Sequence, residues 1–571
     1  MSELSTGTAA PADLAGAPDF TPPPTRRAWL GLAVILLAAF MELLDVTVVT
    51  VATPEIQNSF HTGYAQVQWI LAGYQLTFAA GLVAGGRLGD IFGCRRIFVL
   101  GVLTFAGASL LCGAATSGTQ IVLFRLLQGL AAALMFPQVQ AIIHVTFTGR
   151  HRAAAFGALG GVTGLAGIAG PLLGGALVEG DLFGSGWRMI FLINIPVGVL
   201  AAIGALLLVP ERRSAQRPRL DPVGTVLGSA VVALVVFPLI QGRDADWAWW
   251  IWGLFALAVP AVGLFLWHQR TLEKRGGWPV VDLGLFRGGS FGLGLVVQFF
   301  SFAGISAFFL VLTVELQAGY QWSALRTGLA FLPIAVGTGL ASGIAIPLMP
   351  RLGKRVVQAG AVVMALGMVA LMVTLHAYPT DLSVLRLTPA ALVVGLGLGL
   401  IVTTVNDVVL AEAVGPSAGS AAGVKAMVGQ SGNAVGVAVL GALFFGLLSG
   451  NAGAATTSEL PEFRAALKRL EVSAPTATGL ERSLTECFAD QARAGDHSSP
   501  PPSCGTLADR ARTAGDPAVP RLVDTTLNTA RQHHFSGSLR TSLGYEVAVY
   551  ALVFLLVFLL PLRRISPGSR R

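Results

Sequence analysis

Residues 86–96 read Gly86, Arg87, Leu88, Gly89, Asp90, Ile91, Phe92, Gly93, Cys94, Arg95, Arg96, and an apolar run flanks them on each side, over 67–86 and 97–115. A helix of about 20 apolar residues, rising ~1.5 Å per residue, crosses a hydrocarbon core ~30 Å thick. A glycine- and arginine-rich connection this short between two such runs is therefore a tight turn at one membrane face. The rest of the chain repeats the pattern. Of its 571 residues 54% are apolar and 12% charged, and its mean hydropathy is +0.70. A soluble domain carries about 25% charged residues, and half of that cannot wet its outside. The chain is read as an all-α integral membrane protein.

Fourteen spans are predicted, over 29–51, 67–86, 97–115, 120–144, 154–177, 189–209, 222–240, 249–267, 291–313, 327–349, 357–375, 388–411, 425–448 and 543–562. Bases fall in alternate connections: Arg26 and Arg27; Arg87, Arg95 and Arg96; Arg150 and Arg152; Arg212 to Arg219; Arg270 to Arg287; Arg351 to Arg355; and Arg563 to Arg571. The opposite short connections hold only Arg188, Arg243, Arg326 and Arg386. Short basic loops resist translocation, so both termini are expected in the cytoplasm, and the net charge of +8 belongs to this pattern rather than to nucleic-acid binding. The first apolar run is too long, and carries acids, for a cleaved signal peptide, so it is read as a retained span.

The segment 449–541 mixes both charges with Ser, Thr, Pro and short amphipathic pieces, and is expected outside the cell. A bridge between Cys487 and Cys504 and a pair of free thiols are both open there. No metal-ligand spacing is present, and no Gly-rich loop ending in Gly-Lys-Ser or Gly-Lys-Thr, so neither metal nor ATP is expected, and no cofactor.

Three intramembrane clusters carry chemistry. The first span holds Glu42 and Asp45 three residues apart, on one helix face. An acid at mid-membrane costs ~2.5–3.5 kcal/mol, so the pair should meet a wet cavity or a polar partner. Asp45 stands about 25 Å along from Ala28, in the outer half of the membrane. Arg125 in the fourth span cannot shed its proton and needs an acceptor in the bundle, unless it snorkels to the interface. In the fifth span Gly170, Pro171, Gly174 and Gly175 offer close backbone contact. Glu315, ending span nine, is weighed as a ligand for a cationic substrate against an interfacial residue in water. Asp407, in span twelve, is weighed as a capping group against a coupling one.

The 86–96 turn resembles the signature loop of the major facilitator superfamily, with Ile91 and Cys94 where bases are usual. The resemblance implies that Gly86 and Gly93 allow close helix approach and that Asp90, Arg95 and Arg96 latch a gating state. Arg125, Leu126, Leu127, Gln128, Gly129 is similar to the family's second motif, which links the arginine, with Asp45 and Glu42, to proton transfer. Gly170, Pro171, Gly174 and Gly175 resemble the antiporter motif of its exporters. Further stretches are similar to the fourteen-span drug:proton antiporters: Trp187, Arg188, Phe191, Asn194, Pro196 and Gly198; Leu220, Asp221, Pro222 and Gly224; Pro279, Asp282, Leu285, Phe286 and Arg287; and Ala418, Gly419, Ala422 and Gly423 with Gln430, Gly432, Gly436 and Ala438.

The resemblance implies two six-helix bundles, over 28–209 and 291–562, an inserted helix pair over 210–267, a linker over 268–290, and tails at 1–27 and 563–571. It further implies a monomeric proton-coupled exporter of small amphiphilic toxic compounds or antibiotics, not an enzyme. Arg far outnumbers Lys and Ala and Gly are abundant, which suggests a GC-rich bacterial genome and hence a bacterial plasma membrane. Export of a self-made metabolite, peptide or lipid is the rival within transport. A non-transporting receptor or scaffold is the rival outside it, although a scaffold has no need of buried charge.

Overall fold

A computed structural model describes residues 25–181, 184–211, 221–242, 245–281, 283–286, 289–410, 418–450, 452–494 and 501–560. The N-terminal half contains α1 (Arg26–Phe60), α2 (Tyr64–Phe92), α3 (Cys94–Gly113), α4 (Gly118–Thr146), α5 (Gly149–Glu179), a short α6 (Met189–Leu192) and α7 (Asn194–Leu208). The pair α8 (Pro222–Gln241) and α9 (Trp249–Lys274) follows. The C-terminal half contains α10 (Ser290–Val314), α11 (Ala324–Leu352), α12 (Arg355–Ala377), α13 (Val384–Leu410), α14 (Ala418–Gly450), a cap of α15 (Ala452–Arg469), α16 (Ala474–Ala494) and α17 (Pro502–Thr513), and finally α18 (Ala518–Leu559). Fourteen helices among the described residues are long and apolar enough to cross a membrane.

Helix limits follow local chemistry. The side chains of Thr25, Ser117 and Ser323 each accept a hydrogen bond from the backbone three residues on, satisfying a donor that the first turn leaves open. Gly93, at φ 106°, ends α2 and starts α3, a conformation an L side chain resists. Two expected limits are corrected. The first helix runs to Phe60, past the expected 51, because Thr53, Glu55 and Gln57 are polar yet helix-compatible once clear of hydrocarbon. The last span is the lower part of a 42-residue helix that begins in the cap at Ala518, so much of 449–541 is packed helix. The cap has its own core around Phe463, Leu467, Leu484, Leu507 and Val523, and Cys487 and Cys504 are joined in a disulfide, which removes the free-thiol alternative.

The end of the bundle at the α2–α3 turn is here called the basic face, and the end that carries the cap the far face. Toward the far face the halves share one core, in which Val48, Ile70 and Phe191 join Phe308, Phe331 and Phe444. Toward the basic face each half has a core of its own, around Ile35, Phe98 and Ala205 in one and Phe291, Val405 and Val553 in the other. The inserted pair is seated through α8 against both α2 and α14, one helix from each half. At its basic end Asp221 caps α8 by accepting from the Gly224 amide at 2.8 Å. His268 and Gln269 of α9 also hold it, at 2.8 and 3.0 Å. Burial works against ionisation of Asp221, but the contacts from His268, Gly224 and Gln269 outweigh it and keep the carboxyl below its ordinary value. Trp249, Trp252 and Val259 of α9 are 84%, 59% and 74% exposed, a surface that suits lipid.

Candidate functional site

Glu42 and Asp45 stand on α1, 1% and 0% exposed. Four other helices supply what Asp45 needs. Arg125 of α4 places Nη1 2.6 Å from Asp45 Oδ2. Gln128, one turn on, donates from Nε2 to Asp45 Oδ1 at 2.9 Å, and Asn194, the first residue of α7, donates to the same oxygen at 2.8 Å. Ser109 of α3 accepts from both amides, at 2.7 and 3.2 Å, and so fixes their orientation. Arg125 also donates to Ile70 O at 3.1 Å and to Gln128 Oε1 at 2.7 Å, and lies 4.2 Å from the centroid of the Tyr74 ring on α2. Each charge is buried only because the other is, and Arg125 Nε and Nη1 and Asp45 Oδ1 have further partners among the amides and backbone. At 1% exposure Arg125 does not snorkel.

Glu42 is treated differently. Tyr74 donates to its Oε1 at 3.1 Å, and Oε2 has no partner. One guanidinium thus faces two carboxylates and is committed to Asp45. In the sequence Glu42, Asp45 and Arg125 stand out as intramembrane charges, Gln128 and Asn194 only as motif residues, and Tyr74 and Ser109 not at all. A buried amide in an apolar run was the available signal for the last two; Ser109 carried none.

The 86–96 turn departs from expectation in its partners. Arg95 and Arg96 each place Nε 3.5 Å from Glu211 Oε2, and Arg95 donates to Val209 O at 3.2 Å. The carboxylate that these two arginines meet is therefore Glu211, just past α7, and not the expected Asp90, because the reversal at Gly93 turns the start of α3 toward that end. A Cβ at Gly93 would overlap the Glu211 carboxylate. Close helix approach is made by Gly85 and Gly89 rather than Gly86. A Cβ at Gly85 would overlap Ala133 O of α4, whereas one at Gly86 would lie an ordinary 3.7 Å from Pro137. Gln138 of α4 closes this contact by donating to Gly85 O at 2.8 Å.

Of the four residues of the fifth span, Gly170 and Gly174 pack on α1 of the same half, and Pro171 and Gly175 meet α11 of the other. A Cβ at Gly170 would overlap Thr47 Oγ1 of α1, and one at Gly174 would lie 3.2 Å from Val48 Cα. A Cβ at Gly175 would lie 2.5 Å from Leu325 Cα of α11, and one at Gly328 would overlap Pro171 O. Helix α5 is thus wedged between α1 and α11, touching α1 within a turn of Asp45. Glu179 accepts from Leu325 N at 2.9 Å, and Gln317 donates to Val51 O at 2.7 Å, extending the same seam at the far face.

Glu315 opens a π turn, Glu315–Gly319, at the end of α10. It is 0% exposed with both oxygens unpartnered, which overturns its reading as a residue in interfacial water. The side chain of Asp407 lies outside the described residues.

The family model described as Major Facilitator Superfamily matches residues 35–437. A Streptomyces coelicolor protein named as a probable actinorhodin transporter is 38% identical over 95% of this chain and 93% of its own length, a match that includes the cap. The puromycin resistance protein pur8 of Streptomyces alboniger is 36% identical over 73% of this chain and 82% of its own. The tetracenomycin C resistance and export protein of Streptomyces glaucescens is 35% identical over 73% and 76%. Among solved structures, a bacterial homologue of the human lysosomal transporter Spinster superposes with a TM-score of 0.58 over 94% of this chain and 98% of its own, at 17% identity, a likeness of fold alone. The chain belongs to the Major Facilitator Superfamily.

Proposed function

We propose that this chain is a proton-coupled antiporter that exports a small amphiphilic organic compound of antibiotic type from a bacterial cytoplasm, as a monomer with both termini inside. The observation that carries the reading is the caged Asp45–Arg125 pair with the half-partnered Glu42 beside it. A proton arriving on Asp45 forms an O–H bond and cancels the charge that holds Arg125 Nη1. The guanidinium keeps Ile70 O, Gln128 and Tyr74, while α1 loses its electrostatic tie to α4 and α7. Thr47 and Val48, two and three residues on, bear on Gly170 and Gly174, so a shift of α1 is felt where α5 meets α11. Proton occupancy is thereby coupled to the seam between the halves, and rocking of one half on the other exposes the midplane alternately to the two faces.

Each proton entering supplies ~1.4 kcal/mol per pH unit and ~2.3 kcal/mol per 100 mV, enough for one or two protons to maintain a useful gradient. The match to the actinorhodin-named protein along almost the full chain, cap included, favours a second reading: a dedicated exporter of a metabolite made by the same cell. Everted vesicles carrying the protein, screened with amphiphilic dyes and antibiotics under an imposed pH gradient, test the coupling. Uptake should collapse on adding a protonophore. Uptake that survives it, with ATP absent, would refute proton coupling.

A further inference from the structure

The C-terminal half contains a buried acid that the site above does not use. Glu546 of α18 is 1% exposed, and neither carboxyl oxygen has a hydrogen-bond partner. It packs on Gly304 of α10, where a Cβ would lie 2.7 Å from Glu546 Oε2 and 2.8 Å from the Tyr550 hydroxyl. The Tyr550 hydroxyl is also unpartnered. Asp45, in the other half, is met by a guanidinium and two amides. Other titratable groups on elements packed against this part of α18 are Glu315 and Tyr320 of the π turn and its cap, Lys425 of α14, and Arg355 and His376 near the ends of α12; none bonds to Glu546. An isolated carboxylate buried without a partner is costly enough that such groups are carried as the neutral acid instead. This packing therefore suits a carboxylic acid, and the carboxylate requires a conformation that admits water or a cation.

Glu546 also stands in a row of polar side chains. His534, Ser538, Ser542, Glu546 and Tyr550 recur every four residues along one ridge of α18, all buried. Each step is about 6 Å, so the ridge leads from the cap into the membrane over some two dozen ångströms. His534 lies against Leu448 O at 2.7 Å where the cap meets the bundle. The serine hydroxyls donate to the carbonyls one turn back, at 3.0 Å each, leaving their lone pairs free to accept.

We infer that Glu546 is a second proton-exchange site, carried by the C-terminal half and loaded from the far face along this ridge. The inference rests on the proton-coupled reading. In one half-cycle the carboxylate takes a proton from hydronium at the far face, which leaves as water, and the acid so formed fits the occluded packing; in the other the O–H bond breaks and the proton passes to water on the opposite side. Two exchangeable acids in different halves would let a cycle carry two protons.

The first arm of the test needs no transported compound. The full chain in lipid is examined by infrared difference spectroscopy across a pH jump, for the carbonyl stretch of a protonated carboxylic acid. A band absent in Glu546→Gln, retained in Glu315→Gln and Asp45→Asn, and shifted in frequency in Tyr550→Phe supports the assignment. Tyr550→Phe leaves the acid in place, so the assignment remains testable if Glu546→Gln folds poorly. An identical band in Glu546→Gln and wild type, or a band that ignores Tyr550→Phe, would overturn it. In vesicles, the limiting concentration ratio of an exported dye should fall about tenfold per pH unit of gradient in Glu546→Gln, the factor one proton represents. A wild-type ratio independent of the pH gradient would instead sink the coupling reading. A pH-dependent ratio unchanged by Glu546→Gln would sink this inference alone.

Discussion

Arg125 Nη1 and Asp45 Oδ2 approach to 2.6 Å across α4 and α1, with 1% and 0% of their side chains exposed. Removing one member strands the other in an apolar surround, which costs ~3–5 kcal/mol, whereas removing both leaves a smaller deficit. Arg125→Ala and Asp45→Ala should each lower the thermal midpoint in detergent sharply, and the double variant should be more stable than the sum of the two predicts. Strict additivity would mean that the pair does not act as a unit.

Two adjacent glycines of the signature turn should respond in opposite directions. Alanine at Gly85 forces a Cβ into the Ala133 carbonyl, a backbone atom that cannot rotate away, and should destabilise by ~1–3 kcal/mol. Alanine at Gly86 meets only ordinary contact and gains up to ~1 kcal/mol of helix propensity. Thermal unfolding of the two single variants decides it; equal losses would contradict the packing described.

The ion pairs of Arg95 and Arg96 with Glu211 are partly exposed and contribute under ~1 kcal/mol to stability. Glu211→Ala should therefore leave the unfolding temperature almost unchanged while altering turnover several-fold, and Arg95→Ala with Arg96→Ala should reproduce that effect. If Asp90→Ala changes turnover and Glu211→Ala does not, the latch runs through the acid expected from sequence and not through Glu211.

The disulfide Cys487–Cys504 closes a loop across a separation of 17 residues, for which the chain-entropy relation gives ~3 kcal/mol. Reduction should loosen the cap. A membrane-impermeant thiol reagent applied to intact cells after mild reduction should then label Cys487 or Cys504 and spare Cys94. Labelling of Cys94 with the other two protected would invert the topology and, with it, the direction of proton entry.

Composition, periodicity and the placement of bases were enough to read an all-helical membrane chain of fourteen spans, because hydrocarbon imposes a length and a polarity on every crossing. Glu42, Asp45 and Arg125 were legible because charge inside an apolar run is conspicuous. Partners were not. Ser109 looks like any small residue in a span, and Glu211 stands 115 residues after Arg96, so its contact with that arginine is a product of how α3 and α7 lie. The exchange of Gly86 for Gly85 as the contact residue has a similar origin: one residue rotates a helix face by about 100°, and the glycine spacing alone left the facing side open. Glu546 lies near the start of the predicted span 543–562, next to the polar segment, and with no motif or opposite charge beside it in sequence it resembles an acid at a helix end.

The central claim is that Asp45 exchanges the coupling proton, and the most direct measurement is proton release on substrate binding. Purified protein in weak buffer with a pH indicator is mixed with a compound whose toxicity the expressed protein relieves. Wild type should release protons as the compound binds, with a yield that falls at high pH where the site is already empty. Asp45→Asn should bind the compound and release fewer protons by the share that Asp45 carries. Release from Asp45→Asn equal to wild type would contradict the account.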